Sequence, residues 1–135
     1  MLRRLLALLA LALLGGCGGG GSPTEPPSPV THGTLSGIVT IGPNCPVEQI
    51  GNPCPTPPDA FAQRKVLVYN ATGAQLLFTV DINSQGFYAI DLEPGKYLVD
   101  LKRIGVDKVA GVPRSIDIQA NATTRVDISI DTGIR

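Results

Sequence analysis

Apolar residues in this chain recur at every second position in short runs, and clusters of turn-forming residues separate the runs. A period of two is what a strand with one buried face produces. The pattern predicts seven strands. The first covers 35–41, and its Gly37 marks a bulge or a close packing point. The second, 63–70, points Val66 and Val68 one way and Leu67 and Tyr69 the other. The third, 75–82, places Leu76, Phe78 and Val80 on one face, and the fourth, 87–92, aligns Tyr88, Ile90 and Leu92. The fifth, 96–103, turns Tyr97, Val99 and Leu101 inward and Asp100 and Lys102 outward. In the sixth, 112–119, Ile116 and Ile118 alternate with Ser115 and Asp117. The seventh, 124–130, has Val126, Ile128 and Ile130 in and Asp127 and Ser129 out.

Asn70-Ala71-Thr72-Gly73, Asn83-Ser84-Gln85-Gly86 and Glu93-Pro94-Gly95 supply turns between these runs, with positive φ expected at Gly86. No run has the length or the 3.6-residue period of a helix. Seven short alternating strands with regular turns imply an all-β, Ig-like sandwich.

Ahead of the strands the pattern changes. Met1-Leu2-Arg3-Arg4 is basic, and 5–14 is an unbroken Leu/Ala run. A spanning helix needs roughly 20 apolar residues, so this run is too short to cross a bilayer, but it suits the apolar stretch of a signal peptide. Leu14-Gly15-Gly16-Cys17 resembles the lipobox of bacterial lipoproteins. The resemblance implies a signal peptide over 1–16, cleavage before Cys17, and lipidation of Cys17 by diacylglycerol and a palmitate-type acyl chain. Two or three chains anchor stably where one binds only marginally. Gly18 stands where an Asp would retain such proteins in the inner membrane of enteric bacteria, so an outer-membrane or surface location is implied for a host with two membranes.

Residues 17–33 then form the lipidated cysteine and a Gly/Pro-rich tether. The tether is flexible in its glycines, stiff in its prolines, and unable to form a core. About a dozen such residues at roughly 3 Å each give a reach of some 35 Å. Residues 34–135 make up the folded domain.

The chain has 135 residues, one domain by size, with a formal net charge of zero that turns slightly acidic once Arg3 and Arg4 leave with the signal peptide. No basic face is available for nucleic acid. Of three cysteines, Cys17 is assigned to lipid, which leaves Cys45 and Cys54. An even pair in an exported domain is most simply a disulfide, here across a loop dense in Pro, Gly and Asn. A metal site would want more His or Cys nearby, and the lone His32 lies at the end of the tether.

The stretch from Gly33 to Ile130 resembles the carboxypeptidase regulatory-like, transthyretin-like domains. The likeness rests on Gly33-Thr34-Leu35-Ser36-Gly37-Ile38-Val39, on Lys65-Val66-Leu67-Val68-Tyr69, and on the run from Asp81 through Asn83, Gly86, Tyr88, Pro94 and Gly95 to Tyr97. It implies a sandwich and an accessory or binding role rather than chemistry, since function sits on sites, not on folds. Transthyretin-like hydrolases use several histidines, and this chain has one. Related adhesin repeats carry a Lys–Asn isopeptide bond with its lysine on the first strand, and 35–41 has no lysine. A Ser/His/Asp set is impossible without a domain histidine. Asp81-x-Asn83-x-Gln85-Gly86 resembles the start of a calcium loop, but Leu92 stands where an EF-hand needs Glu, so a turn is expected.

The expectation is therefore a non-catalytic, extracytoplasmic module anchored to the membrane by lipid, with no cofactor and no metal. It presents the stapled loop 43–58 to a protein or cell-envelope partner. The alternative is a carbohydrate-binding or substrate-delivery module, for which the absence of Trp leaves few stacking platforms.

Overall fold

Strand β1 (Gly33–Gly42) organises the molecule. Its residues alternate strictly between buried and more exposed, with Leu35, Val39 and Ile41 in the core. The computed structural model describes residues 20–21, 24–47 and 49–134. The expected signal peptide, 1–16, and the expected lipidation site, Cys17, lie outside the described residues. Residues 24–32 have no regular secondary structure and are exposed throughout.

Nine strands and one short helix are present among the described residues. After β1 come α1 (Pro58–Ala62), β2 (Lys65–Asn70), β3 (Leu76–Asp81), β4 (Phe87–Leu92), β5 (Gly95–Leu101), β6 (Lys108–Ala110), β7 (Arg114–Ile118), β8 (Thr123–Arg125) and β9 (Ile128–Asp131). One sheet has the order β4-β1-β9-β6, with β8 also on β1, and the other has the order β3-β2-β5-β7. β4 runs antiparallel to β1, whereas β8 and β9 run parallel to it. The inner faces meet in one core of Leu35, Val39, Val66, Val68, Tyr88, Leu92, Val99, Leu101, Ile116, Ile118, Val126, Ile128 and Ile130, with others around them. The all-β sandwich is therefore as expected.

The strand count of seven is corrected to nine. β6 is too short to register as an alternating run. The expected last strand, 124–130, divides into β8 and β9 because its ladder with β1 is interrupted at Val126 and Asp127. There the Ile38 N–H donates to the Asp127 carboxylate (2.9 Å) rather than to a backbone carbonyl, and the Val126 N–H donates to Ser36 (2.9 Å). The break keeps Val126, Ile128 and Ile130 all buried. β3 also departs from expectation. Val80 is buried, but Leu76 and Phe78 are exposed, because β3 is an edge strand and its register with β2 shifts between Val68 and Tyr69.

Gly37 is a close-packing point. A Cβ there would overlap the Val126 carbonyl oxygen and sit 2.8 Å from the Tyr88 ring and hydroxyl. The space a side chain would need is taken by Tyr88, whose hydroxyl donates to that same carbonyl (2.5 Å). Gly86 has φ +88°, as its turn requires.

Candidate functional site

The pairing of β1 defines two poles. At its start Gly33 lies beside Leu92, and the His32 carbonyl accepts from the Asn121 N–H (2.9 Å), so the tether joins the sandwich at a fixed point. At its end Gly42 lies beside Asp131 and leads into the Cys45–Cys54 segment. A ten-residue strand spans about 30 Å. The tether and the stapled loop thus stand at opposite ends of one rigid element.

At the far pole Cys45 and Cys54 form the expected disulfide, with Cα atoms 6.2 Å apart. Asn44 fixes the base of the loop: its side-chain amide donates to the carbonyls of Ile41 and Cys54 (both 3.2 Å) and to the Thr56 hydroxyl (3.1 Å). From the C-terminal side the Thr132 hydroxyl donates to the Pro43 carbonyl (2.6 Å), and the Thr132 N–H donates to Gly42 (3.1 Å). Within the loop the Asn52 N–H closes a turn on the Gln49 carbonyl (3.0 Å). Proline-rich sequence that packs no core of its own is held in this way from both ends.

Beneath the loop the chain forms α1, with Pro58 in its first turn and Phe61 buried. A five-residue helix leaves no periodic trace in the sequence, so it was not expected. It delivers Arg64 to a pair that sequence reading also missed. Arg64 Nε and Nη2 donate to the two oxygens of Asp107 (2.8 and 2.9 Å), and Nη1 donates to the Ala60 carbonyl (2.8 Å). The Ile104 N–H adds a further bond to Asp107 (3.1 Å). The two side chains are only 10% and 3% exposed. The guanidinium hydrogen bonds, followed by the Ile104 N–H, hold the Asp107 carboxyl below the usual carboxylate range against the opposing effect of burial. This bidentate pair ties the α1–β2 corner to the loop before β6 and floors a cleft of about 350 Å³ lined by Ile41, Asn44, Pro57, Ile104, Val106 and Ile134, among others.

The remaining candidate chemistry is structural. Asn83 Oδ1 accepts from the N–H groups of Gln85 and Phe87 (both 2.9 Å), and Asp81 pairs with Lys65, so the expected turn forms and both side chains are engaged by protein groups. Asp127 pairs with Arg125 at 3.0 Å; the Ile38 N–H first and Arg125 second hold its carboxyl below the usual carboxylate range. Burial, and next the nearby Asp127 charge, push the Tyr88 hydroxyl well above the ordinary phenol value, so it stays a donor. The Tyr97 hydroxyl donates to the Glu93 carbonyl (2.8 Å) and closes its turn at the rim. No cluster of three or more His, Cys, Asp or Glu suited to a metal occurs among the described residues.

No family model matches the chain, and no curated protein matches it. Several solved structures are similar in fold. A minor pilin of Streptococcus agalactiae is 12% identical, with a TM-score of 0.50 over 75% of this chain and 44% of its own. The TIE protein of Bacillus anthracis is 13% identical, with a TM-score of 0.46 over 75% of this chain and 16% of its own. A DUF3823 family protein from Parabacteroides merdae is 14% identical, with a TM-score of 0.43 over 75% of this chain and 46% of its own. The chain thus spans less than half the length of each. At these identities the likeness to the pilin speaks for the sandwich fold alone.

Proposed function

We propose that the protein is a bacterial lipoprotein, anchored through Cys17 outside the cytoplasm, whose carboxypeptidase regulatory-like sandwich is a non-catalytic recognition module. One observation carries this reading: β1 sets the point where the tether joins and the stapled loop at opposite ends of a strand about 30 Å long. A chain lipidated at Cys17 would hold the tether pole towards the bilayer and the stapled pole away from it. The stiffened loop on a rigid sandwich has the usual architecture of a binding loop.

Two experiments test the parts separately. Inhibition of the lipoprotein signal peptidase leaves an uncut precursor, and Cys17→Ala releases the protein from membranes; unchanged processing and membrane retention would remove the anchor. In-cell crosslinking followed by affinity capture and mass spectrometry identifies a partner that is lost when the loop is deleted. Binding that survives loop deletion in a folded protein would move recognition elsewhere.

A second reading, carbohydrate binding or substrate delivery, draws on Phe87. This ring is half-exposed beside a shallow groove of about 520 Å³ that also involves Ser36, Ile38, Asn83 and Arg125. Binding on a glycan array, lost in Phe87→Ala, would establish it.

A further inference from the structure

We propose that two copies of the chain pair edge to edge through β3, antiparallel about a two-fold axis at Thr79, and so join their four-stranded sheets into one.

β3 pairs with β2 on one side and, among the described residues, with no strand on the other. Two bonds fix which of its main-chain groups face outward. The Lys65 carbonyl accepts from the Lys102 N–H (2.8 Å), so Lys65 faces the strand of β5, and the Asn70 N–H donates to the Gln75 carbonyl (3.0 Å), so Asn70 faces β3. Alternation between these two turns Val66 and Val68 towards β3, where they lie opposite Val80 and Phe78. The N–H and C=O groups of Thr79 and Asp81 therefore point out of the edge of the sheet, with no strand to receive them.

Native proteins blunt such edges with charge, brevity or proline. β7 has Arg114 and Asp117, β6 is three residues long and includes Lys108, and β4 has Asp91. β3 is left bare: 75–80 contain no charged residue, Pro or Gly, and Leu76, Leu77 and Phe78 are each between 39% and 47% exposed. The bulge at Leu77 lies at one end and leaves 78–81 in regular register.

The open groups belong to the main chain, so what covers them is a strand, and its fit to itself selects a second copy. An antiparallel pair centred on Thr79 exchanges two N–H···O=C bonds between the two Thr79 residues and sets their hydroxyls side by side. It also stands Val80 of each copy beside Phe78 of the other on the core face, which covers the exposed ring. Centring on Asp81 would oppose two carboxylates. A charged foreign strand would find no counter-charge along 75–80. One strand a side is less than the roughly 800 Å² per partner of a standard interface, so the pair is weak when dilute and favoured where a membrane concentrates the chain. The two-fold reverses the strands, and the tethers leave from opposite ends. A tether reach of some 35 Å against a strand of about 30 Å lets both enter one bilayer.

The test oxidises full-length Thr79→Cys in the membranes of its own cells, with the unsubstituted chain and Ser115→Cys, on the β7 edge, as controls. Two Thr79 Cα atoms in the proposed pair lie about 5.5 Å apart, within disulfide reach. The expected result is a disulfide-linked dimer from position 79 above the background of both controls. Phe78→Lys should lower its yield about fivefold or more, because the two-fold applies the substitution twice, and Phe78→Leu should keep it. Far-UV circular dichroism checks that Phe78→Lys is folded; if it is not, Phe78→Ser takes its place. No dimer from position 79, an equal yield from position 115, or a yield indifferent to a folded Phe78 variant would each overturn the pairing. Light scattering of the concentrated full-length chain in detergent gives a second reading. A protein mass that levels off at two copies supports the closed pair, and one that keeps growing overturns it.

Discussion

Replacing Asp107 with Ala leaves the Arg64 guanidinium buried without its counter-charge, and the size of the penalty follows from the geometry. The pair is bidentate, 90% or more of each side chain is shielded from water, and Asp107 takes a third bond from the Ile104 N–H. Removing one partner of a buried, hydrogen-bonded pair costs about 3–5 kcal/mol, most of it from the charge left behind. A domain of this size has on the order of 5–15 kcal/mol in total, so the variant should remain folded at 25 °C while its midpoint of thermal unfolding falls by roughly 15 °C or more. Urea titration followed by far-UV circular dichroism measures the loss.

The same pair sets a pH dependence. Asp107 titrates below its unfolded value in the native state, so the unfolded chain binds more protons as the solution becomes acid. Its contribution is complete above the ordinary carboxylate value of about 4 and is lost as pH falls through the lower native value. The stability gap between the wild type and Asp107→Ala should therefore be constant near neutrality and close below about pH 4. The double variant Arg64→Met/Asp107→Leu, which leaves no orphan charge, should recover more than half of the single-variant loss. A loss under about 1 kcal/mol, or a gap that stays constant down to pH 3, would refute this account of the pole.

Gly37→Ala should destabilise by about 1–3 kcal/mol or prevent folding, because its methyl overlaps the Val126 carbonyl and the Tyr88 ring, whereas Tyr88→Phe should cost only the hydroxyl bond, about 1–2 kcal/mol; chemical denaturation of both checks the order. Thiol titration of the unreduced, denatured protein should find Cys45 and Cys54 unreactive, and Cys45→Ala/Cys54→Ala should lower stability by up to about 2.5 kcal/mol, with amide exchange rising first across the loop. Leu77→Lys, on the exposed edge strand β3, should change stability by no more than about 0.5 kcal/mol and lower light scattering of concentrated solutions.

What could be read from the sequence was what neighbouring residues decide among themselves. Alternation at Val66/Val68, Val99/Leu101 and Ile116/Ile118 gave the buried faces correctly because each pair needs only a sheet with a core on one side. Alternation failed at Leu76 and Phe78, where burial depends on a second strand reaching the edge, a fact of topology and not of the run itself. At Val126–Asp127 the alternation held, and what it could not show is that the Asp127 side chain displaces a backbone bond of β1, which leaves the apolar period intact while the ladder breaks. Arg64 and Asp107 are separated by 43 positions, and neither carries a local sign of its partner. An arginine two positions after a short apolar stretch (Ala60-Phe61-Ala62) is the nearest thing to a signal, since a cation leaving a buried corner must find a carboxylate. Cys45 and Cys54 were legible because pairing arithmetic is independent of distance in the fold. The loop they close is anchored by Asn44 and Thr132, which only the end of β1 brings together. The chemistry of the pole is thus written in long-range contacts, and the strand that gathers them is the same one that separates the pole from the tether.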